Sequence, residues 1–195
     1  MPVPEPLELN WGAIALRGYR WDGDGDTVLL LHDVGADLDA WADIPSIIAA
    51  DGYRVVALDL PGHGLSDDPW EPERAIDLVT FLVESVKLIA ARCFVVAAGQ
   101  LCGPALAAPT VDALIALSPE ALALVPDGPT PPTLVMVGGA DRAASSNAHM
   151  FFRSTRGWAV VSSLGTPAQS TGLFSSEWGG HAVEQTLLFL RDYRS

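Results

Sequence analysis

The chain is predicted to be an α/β protein whose mainly parallel sheet is covered by helices on both faces. Three observations carry this reading. Strand-length apolar runs alternate with segments of helical periodicity after an opening hairpin. Several runs, TVLLLHD from Thr27, YRVVALDLP from Tyr53 and CFVVAAG from Cys93, are continuously apolar through their strand cores, as strands buried on both faces require. No repeat, charge block or linker divides the 195 residues, a length suited to one domain over 1–195.

Each element follows from its own pattern. LELNWGAIALRGYRW holds two short strands around a turn at Asn10–Gly12. TVLLLHD is the first buried strand. Leu38 to Ala50 reads as a helix with Trp41, Ile44 and Ile48 on one side. YRVVALDLP is the next strand. Glu71 to Ala91 is an amphipathic helix, with Ile76, Val79, Val83, Val86 and Ala90 at helical spacing. CFVVAAG is followed by a short helix over Gly103 to Ala108. VDALIALS and PTLVMVGGAD are two further strands, and Ser145 to Arg156 is a helix. GWAVVSSLG is the last strand. Ala182 to Tyr193 is a C-terminal helix with Val183, Leu187 and Leu190 inward. Ligands of such sheets sit outside the carboxyl ends of the strands, so the loops after those ends are where function is sought.

Composition narrows the classes. The net charge is −13, which repels phosphate backbones and argues against nucleic-acid binding. No apolar run approaches the roughly 20 residues that span a bilayer, so no membrane association is expected. MPVPEPLELN lacks the basic-then-apolar order of a signal peptide, and a cytoplasmic location is expected. Two cysteines, Cys93 and Cys102, are too few for a disulfide framework or a zinc cluster. No metal or cofactor is expected.

The strand-end loops carry an ordered series of motifs. LLLHDVGADLDAW (Leu29 to Trp41) is followed by ALDLPGHGLSDD (Ala57 to Asp68), then Gly99-Gln100-Leu101-Cys102-Gly103, then VMVGGADRAAS with Asp141, then EWGGHAVEQTLLFL with His181. Together they resemble the α/β-hydrolase superfamily over essentially the whole chain, and its small lidless members in particular, the dienelactone-hydrolase-like and short esterase-like proteins. The resemblance implies an α/β-hydrolase fold without a cap. Its oxyanion donors would be the backbone N–H groups of Val34 and Cys102. Its acid and base would be Asp141 and His181, in the nucleophile–acid–histidine order of that fold. His63 would be a turn residue rather than a catalyst.

Two departures from the family stand out. The family's Gly-x-Ser-x-Gly elbow places the nucleophile at Leu101, which has no lone pair and no proton to surrender. Asp33 stands where a glycine is usual, and a carboxylate pointing inward there would oppose an oxyanion. Cys102 does not replace the nucleophile: shifting the frame by one would need glycines at positions occupied by Gln100 and Pro104. Two function classes remain. One is a pseudoenzyme that binds a small molecule or partner in the strand-end cleft. The other is an esterase-like or water-activating chemistry run by Asp141 and His181, as the superfamily's cofactor-free dioxygenases resemble. Only PEALALVPDGPTP separates Ser118 from the strand starting at Thr133, room for one helical turn. The site is therefore expected to be open to water, with apolar surface that a second copy could cover in a homo-oligomer. GTPAQSTGLFSSEWGGH is a long polar loop leading into His181, of the kind that is functional or mobile.

Overall fold

The computed structural model describes residues 2–120 and 128–194. Eight strands form one sheet: β1 (Glu5–Trp11), β2 (Ile14–Trp21), β3 (Thr27–Leu31), β4 (Arg54–Leu58), β5 (Cys93–Ala98), β6 (Ala113–Leu117), β7 (Thr133–Gly138) and β8 (Ala159–Leu164). Their spatial order is β1-β2-β4-β3-β5-β6-β7-β8. β1 and β2 form the expected hairpin, and β2 runs antiparallel to β4. All pairings from β4 through β3 to β8 are parallel. This is the α/β-hydrolase fold.

The alternation of side chains along each strand sorts the core into two layers. Leu29, Leu31, Val95, Ala97, Leu114 and Ala116 face one side. Val28, Leu30, Phe94, Val96, Ile115 and Leu117 face the other. The first layer is closed by α2 (Ala75–Lys87), α3 (Cys102–Ala107) and α4 (Arg142–Ser154), the second by α1 (Ile44–Ala50), α5 (Gly172–Ser175) and α6 (Gly179–Asp192). Strands buried on both faces are what their unbroken apolar runs predict.

Helix boundaries differ from expectation where local chemistry intervenes. The stretch from Leu38 to Ala50 is split: a 3₁₀ turn over Leu38–Trp41 ends at Ala42, whose φ is 47°, and α1 starts afresh with Pro45 in its first turn. Proline suits that place because its missing N–H would have no helical partner there. The helix expected from Glu71 to Ala91 is confined to α2, preceded by a 3₁₀ turn that begins at Pro72. α4 begins at Arg142, three residues early, because Asp141 caps it. α6 likewise begins at Gly179. The connection between β6 and β7, and with it the expected loss of a cap and connecting helix, falls largely on residues 121–127, outside the described residues. Among the described residues, no helix is long and apolar enough to cross a membrane.

The turn after β4 is held by one buried carboxylate. Asp59, 2% exposed, accepts from Leu38 N (2.9 Å) through Oδ1 and from Leu65 N (2.8 Å) through Oδ2. Gly64, at φ 48°, passes so close that a Cβ there would lie 2.1 Å from Oδ2. Removing the acceptor strands two N–H groups. Asp59→Ala is therefore expected to cost about 1–3 kcal/mol, read as a lowered urea midpoint with an unchanged slope.

Candidate functional site

The site is built where β3 and β5 end side by side in the middle of the sheet. β5 leaves its strand conformation at Ala98 (φ −112°, ψ 143°) and the chain reverses through Gly99 at φ 52°. A 3₁₀ turn over Gly99–Leu101 leads directly into α3. Leu101 has ordinary helical dihedrals (φ −75°, ψ −14°). It is fully buried, in the apolar layer that also contains Cys102, Ala105 and Leu106.

This corrects the register of the elbow. A nucleophile elbow holds its reactive residue on a sharp, strained strand-to-helix turn that exposes the side chain. The left-handed position in this turn is Gly99, two residues before Leu101. The frame that fits is Ala97-Ala98-Gly99-Gln100-Leu101, with Gly99 at the apex. Leu101 serves the core instead: at the start of α3, with helical dihedrals, it lies fully buried in the apolar layer. The exposed side chain of the turn is that of Gln100.

Asp33 points into the elbow. Its Oδ1 accepts from Val34 N (2.9 Å) and from Gln100 N (3.1 Å). Its carboxylate also fills the space over Gly99: a Cβ built on that glycine would lie 2.0 Å from Asp33 Oδ2 and 2.1 Å from Cγ. A side chain on Gly99 and the carboxylate of Asp33 thus compete for the same volume.

The two expected oxyanion donors fare differently. Val34 N is at the site, but it is spent on Asp33. Cys102 N is not, since it closes the 3₁₀ turn by donating to Gly99 O. The residue that follows the apex is Gln100, and its N–H takes the place expected for that of Cys102. The Cys102 thiol points into the core, 3.1 Å from Ala97 O. Burial first, and then the charge of Asp33, push its pKa well above the usual thiol range. A neutral, buried thiol is no nucleophile.

Asp141 and His181 stand on the expected loops, after β7 and after β8. Asp141 is the N-cap of α4, accepting from Ala143 N (2.8 Å) and Ala144 N (3.1 Å). His181 lies in the first turn of α6, its Nε2 2.7 Å from Gln185 Nε2 and its Nδ1 3.6 Å from Glu184 Oε2. Among the described residues no hydrogen bond or ion pair joins Asp141 to His181. The loop before His181 is anchored rather than loose: Ser170 N donates to Ser118 Oγ (2.9 Å), Gln169 Nε2 reaches Gly138 O (3.2 Å), and α5 buries Leu173.

Two histidines underlie the loop that carries Asp33. His32 is fully buried. Its Nε2 accepts from Leu60 N (3.0 Å), which leaves the proton on Nδ1, 2.9 Å from Asp33 O. His63 Nε2 accepts from Gly35 N (2.9 Å), and its Nδ1 faces Pro61 O (2.8 Å). The rings meet edge to face, 5.4 Å apart. His63, expected only to shape its own turn, also positions the Asp33 loop. Burial pulls the pKa of His32 below its ordinary value. Asp33 O, Asp59 and Asp37 oppose that shift, and the neighbouring His63 reinforces it.

Comparison with known proteins agrees with this architecture. A family profile described as the alpha/beta hydrolase fold matches residues 26–93, a span that includes Asp33 and Asp59 and stops before the elbow. The chain is similar to the dihydrolipoyllysine-residue acetyltransferase component of the acetoin cleaving system of Cupriavidus necator, at 51% identity over 53 residues, 27% of this chain and 14% of that one. It is also similar to an esterase of Mycobacterium tuberculosis, at 37% identity over 65 residues, 33% of this chain and 20% of that one. The matches therefore span a fifth or less of these two relatives. A solved esterase of Pyrococcus furiosus superposes with a TM-score of 0.77 at 13% identity, over 98% of this chain and 92% of its own. That last likeness is one of fold.

Two outcomes test the geometry. Gly99→Ala alone places a Cβ at left-handed φ, worth about 1–2 kcal/mol, and drives it against Asp33 as well. In the Asp33→Gly background the second part vanishes. The unfolding free energies of the two single variants and the double are expected to show a coupling of about 0.5–3 kcal/mol, and simple additivity would contradict the contact. The second outcome concerns pH. Unfolded His32 takes up its proton at a higher pH than folded His32, so in that window the unfolded state binds more protons and stability rises with pH. The contribution is complete above about pH 6.5 and is lost as pH falls through the lowered folded value. Urea midpoints should therefore drop more on acidification for the native chain than for His32→Gln.

Proposed function

We propose that this chain is an α/β-hydrolase-fold protein without serine-hydrolase chemistry, acting by binding a small molecule or a partner at its strand-end face. The observation that carries the reading is the elbow apex. Gly99 offers no side chain to attack a carbonyl, and the Asp33 carboxylate fills the place such a side chain would take. An acyl intermediate needs a nucleophile, and an oxyanion needs free donors in the same few ångströms. The apex supplies no nucleophile, and Asp33 holds the N–H groups of Val34 and Gln100. In hydrolases that lose their nucleophile, residual acceleration of about 10³–10⁴ comes from the oxyanion hole and binding. Here that residue is undercut too, because an anion faces the developing charge. The esterase-like alternative rests on Asp141 and His181. Their observed partners, a helix terminus and Gln185, weigh against it.

The native protein is expected to show no turnover of p-nitrophenyl acetate above buffer and no labelling by a fluorophosphonate probe. A covalent adduct at any residue, located by mass spectrometry, would overturn the reading. Leu101→Ser is expected to leave both assays negative while lowering stability by about 2–5 kcal/mol, the range for truncating a buried leucine.

A further inference from the structure

We propose that β8 is a docking edge for an extended acidic segment of another protein, which adds a further strand to the sheet with its carboxylates toward α4. The two edges of the sheet differ in kind. β1 carries Glu5, Pro6 and Glu8, with Glu5 paired to Arg20 (2.7 Å) and Glu8 to Arg17 (3.0 Å). Prolines and charges are how an edge is kept from pairing with other chains. β8 reads AVVSSL, with no proline and no charge, and keeps register with β7 from Ala159 to Leu164 without a bulge. Trp158 O and Leu164 O accept from Thr133 N and Gly139 N. By alternation, the backbone groups of Ala159, Val161 and Ser163 point away from β7. Among the described residues those groups have no hydrogen-bond partner.

The two flanks of this edge differ in chemistry. On the α6 side Trp158 stacks on Phe189 at 6.2 Å, and Val160 shares that face by alternation. They are 56% and 40% exposed, an apolar strip open to water. On the other side Val161 packs in the layer that α4 closes. Arg142 and Arg153 of α4 are exposed and, among the described residues, form no ion pair. Between Asp141 and Glu177 the chain has three arginines and no carboxylate, in a molecule of net charge −13.

Charge complementarity selects the occupant. Two copies joined antiparallel along β8, about an axis normal to the sheet, would set α4 beside α4 and arginines against arginines. An acidic segment is attracted by the same groups. Its side chains alternate between faces, so the fitting sequence sets apolar residues toward Trp158 and Val160 and carboxylates toward α4. Main-chain hydrogen bonds supply the affinity of such strand addition, and the alternate side chains supply the selectivity. The edge lies beyond β6 and β7 from the elbow, and the inference does not rest on the proposed function.

The probe is a fluorescein-labelled synthetic peptide of alternating valine and glutamate, with one of alternating valine and lysine as control. Fluorescence anisotropy is expected to show saturable binding of the glutamate peptide that weakens with added salt. In ¹⁵N-labelled protein the amides of Ala159, Val161 and Ser163 should shift with the glutamate peptide and not with the lysine peptide. Val161→Pro removes an outward N–H, a change that an edge strand tolerates, and is expected to abolish binding. Arg153→Glu leaves the edge intact and should weaken binding about two- to fivefold. Absence of saturation at about 1 mM glutamate peptide, or equal shifts of those three amides with the lysine peptide, would overturn the proposal. So would a dimer in sedimentation that Val161→Pro dissolves, since a second copy would then be the occupant. Should Val161→Pro not fold, Arg153→Glu decides, and unchanged affinity there would overturn the proposal.

Discussion

One carboxylate oxygen ties together two strand ends that lie 67 residues apart in sequence. Asp33 Oδ1 takes the N–H of Val34 at the end of β3 and that of Gln100 at the end of β5. The centre of the site is arranged around this contact. The chain reverses at Gly99, where the carboxylate occupies the space a side chain would take. Val34, half-buried, packs its side chain onto the apolar layer below. The loop that delivers Asp33 is in turn fixed by His63 from the next turn, and that turn by Asp59. A hydrogen bond to an ionised group contributes about 1.5–3 kcal/mol when well shielded. Asp33 is partly exposed, so its worth to stability is smaller. Its consequence for chemistry is larger, since it sets the sign of the charge at the point where an acyl-transfer enzyme would gather negative charge.

Most of the fold was legible in the sequence, for a physical reason. Strands buried on both faces need unbroken apolar runs, and those runs stand in the sequence as TVLLL, CFVVAA and TLVMVG. Helix ends were less legible, because they are set by single groups: the cap at Asp141, the proline at 45, the left-handed Ala42. The left-handed residue of the turn lies at Gly99, two residues before Leu101. Gly99 and Gly103 have the spacing of a Gly-x-Ser-x-Gly motif, but spacing does not say which residue takes the left-handed turn. The apolar character of Leu101 was itself a sign of core, since a fully exposed apex would leave a leucine in water without compensation. The departure at Asp33 was visible as an unusual residue. Its direction was not, because a single rotation about its side chain decides between solvent and the elbow.

Asp141 and His181 show a different limit. Both stand on the expected loops, because loop position follows from strand order. Their pairing does not follow from position. A carboxylate at the start of a helix has a competing use, and Asp141 takes it by capping α4 with two hydrogen bonds. A histidine inside the first turn of a helix projects with that helix's own periodicity, which brings His181 to Gln185 one turn on. Local partners are always within reach, while a partner on another loop must be brought to within a few ångströms by the packing of β7 and β8 together. The polar loop before His181 likewise reads as loose from its Gly and Ser content. Its anchors, Ser118 just past β6 and the carbonyl of Gly138 at the end of β7, are invisible along the sequence.

The glycine at 99 and the carboxylate at 33 are joined by one contact. A side chain at position 99 and the carboxylate of Asp33 in its present rotamer compete for the same volume, at separations near 2 Å. A serine at the apex would meet the carboxylate, and a glycine at 33 would leave two converging donors without their anion. The bare apex makes room for Asp33, and Asp33 satisfies the N–H groups of Val34 and Gln100. A site in this state is internally complete. An acyl-transfer site at this turn would need a side chain at 99, room at 33 and a base, and His181 has its present partner on its own helix.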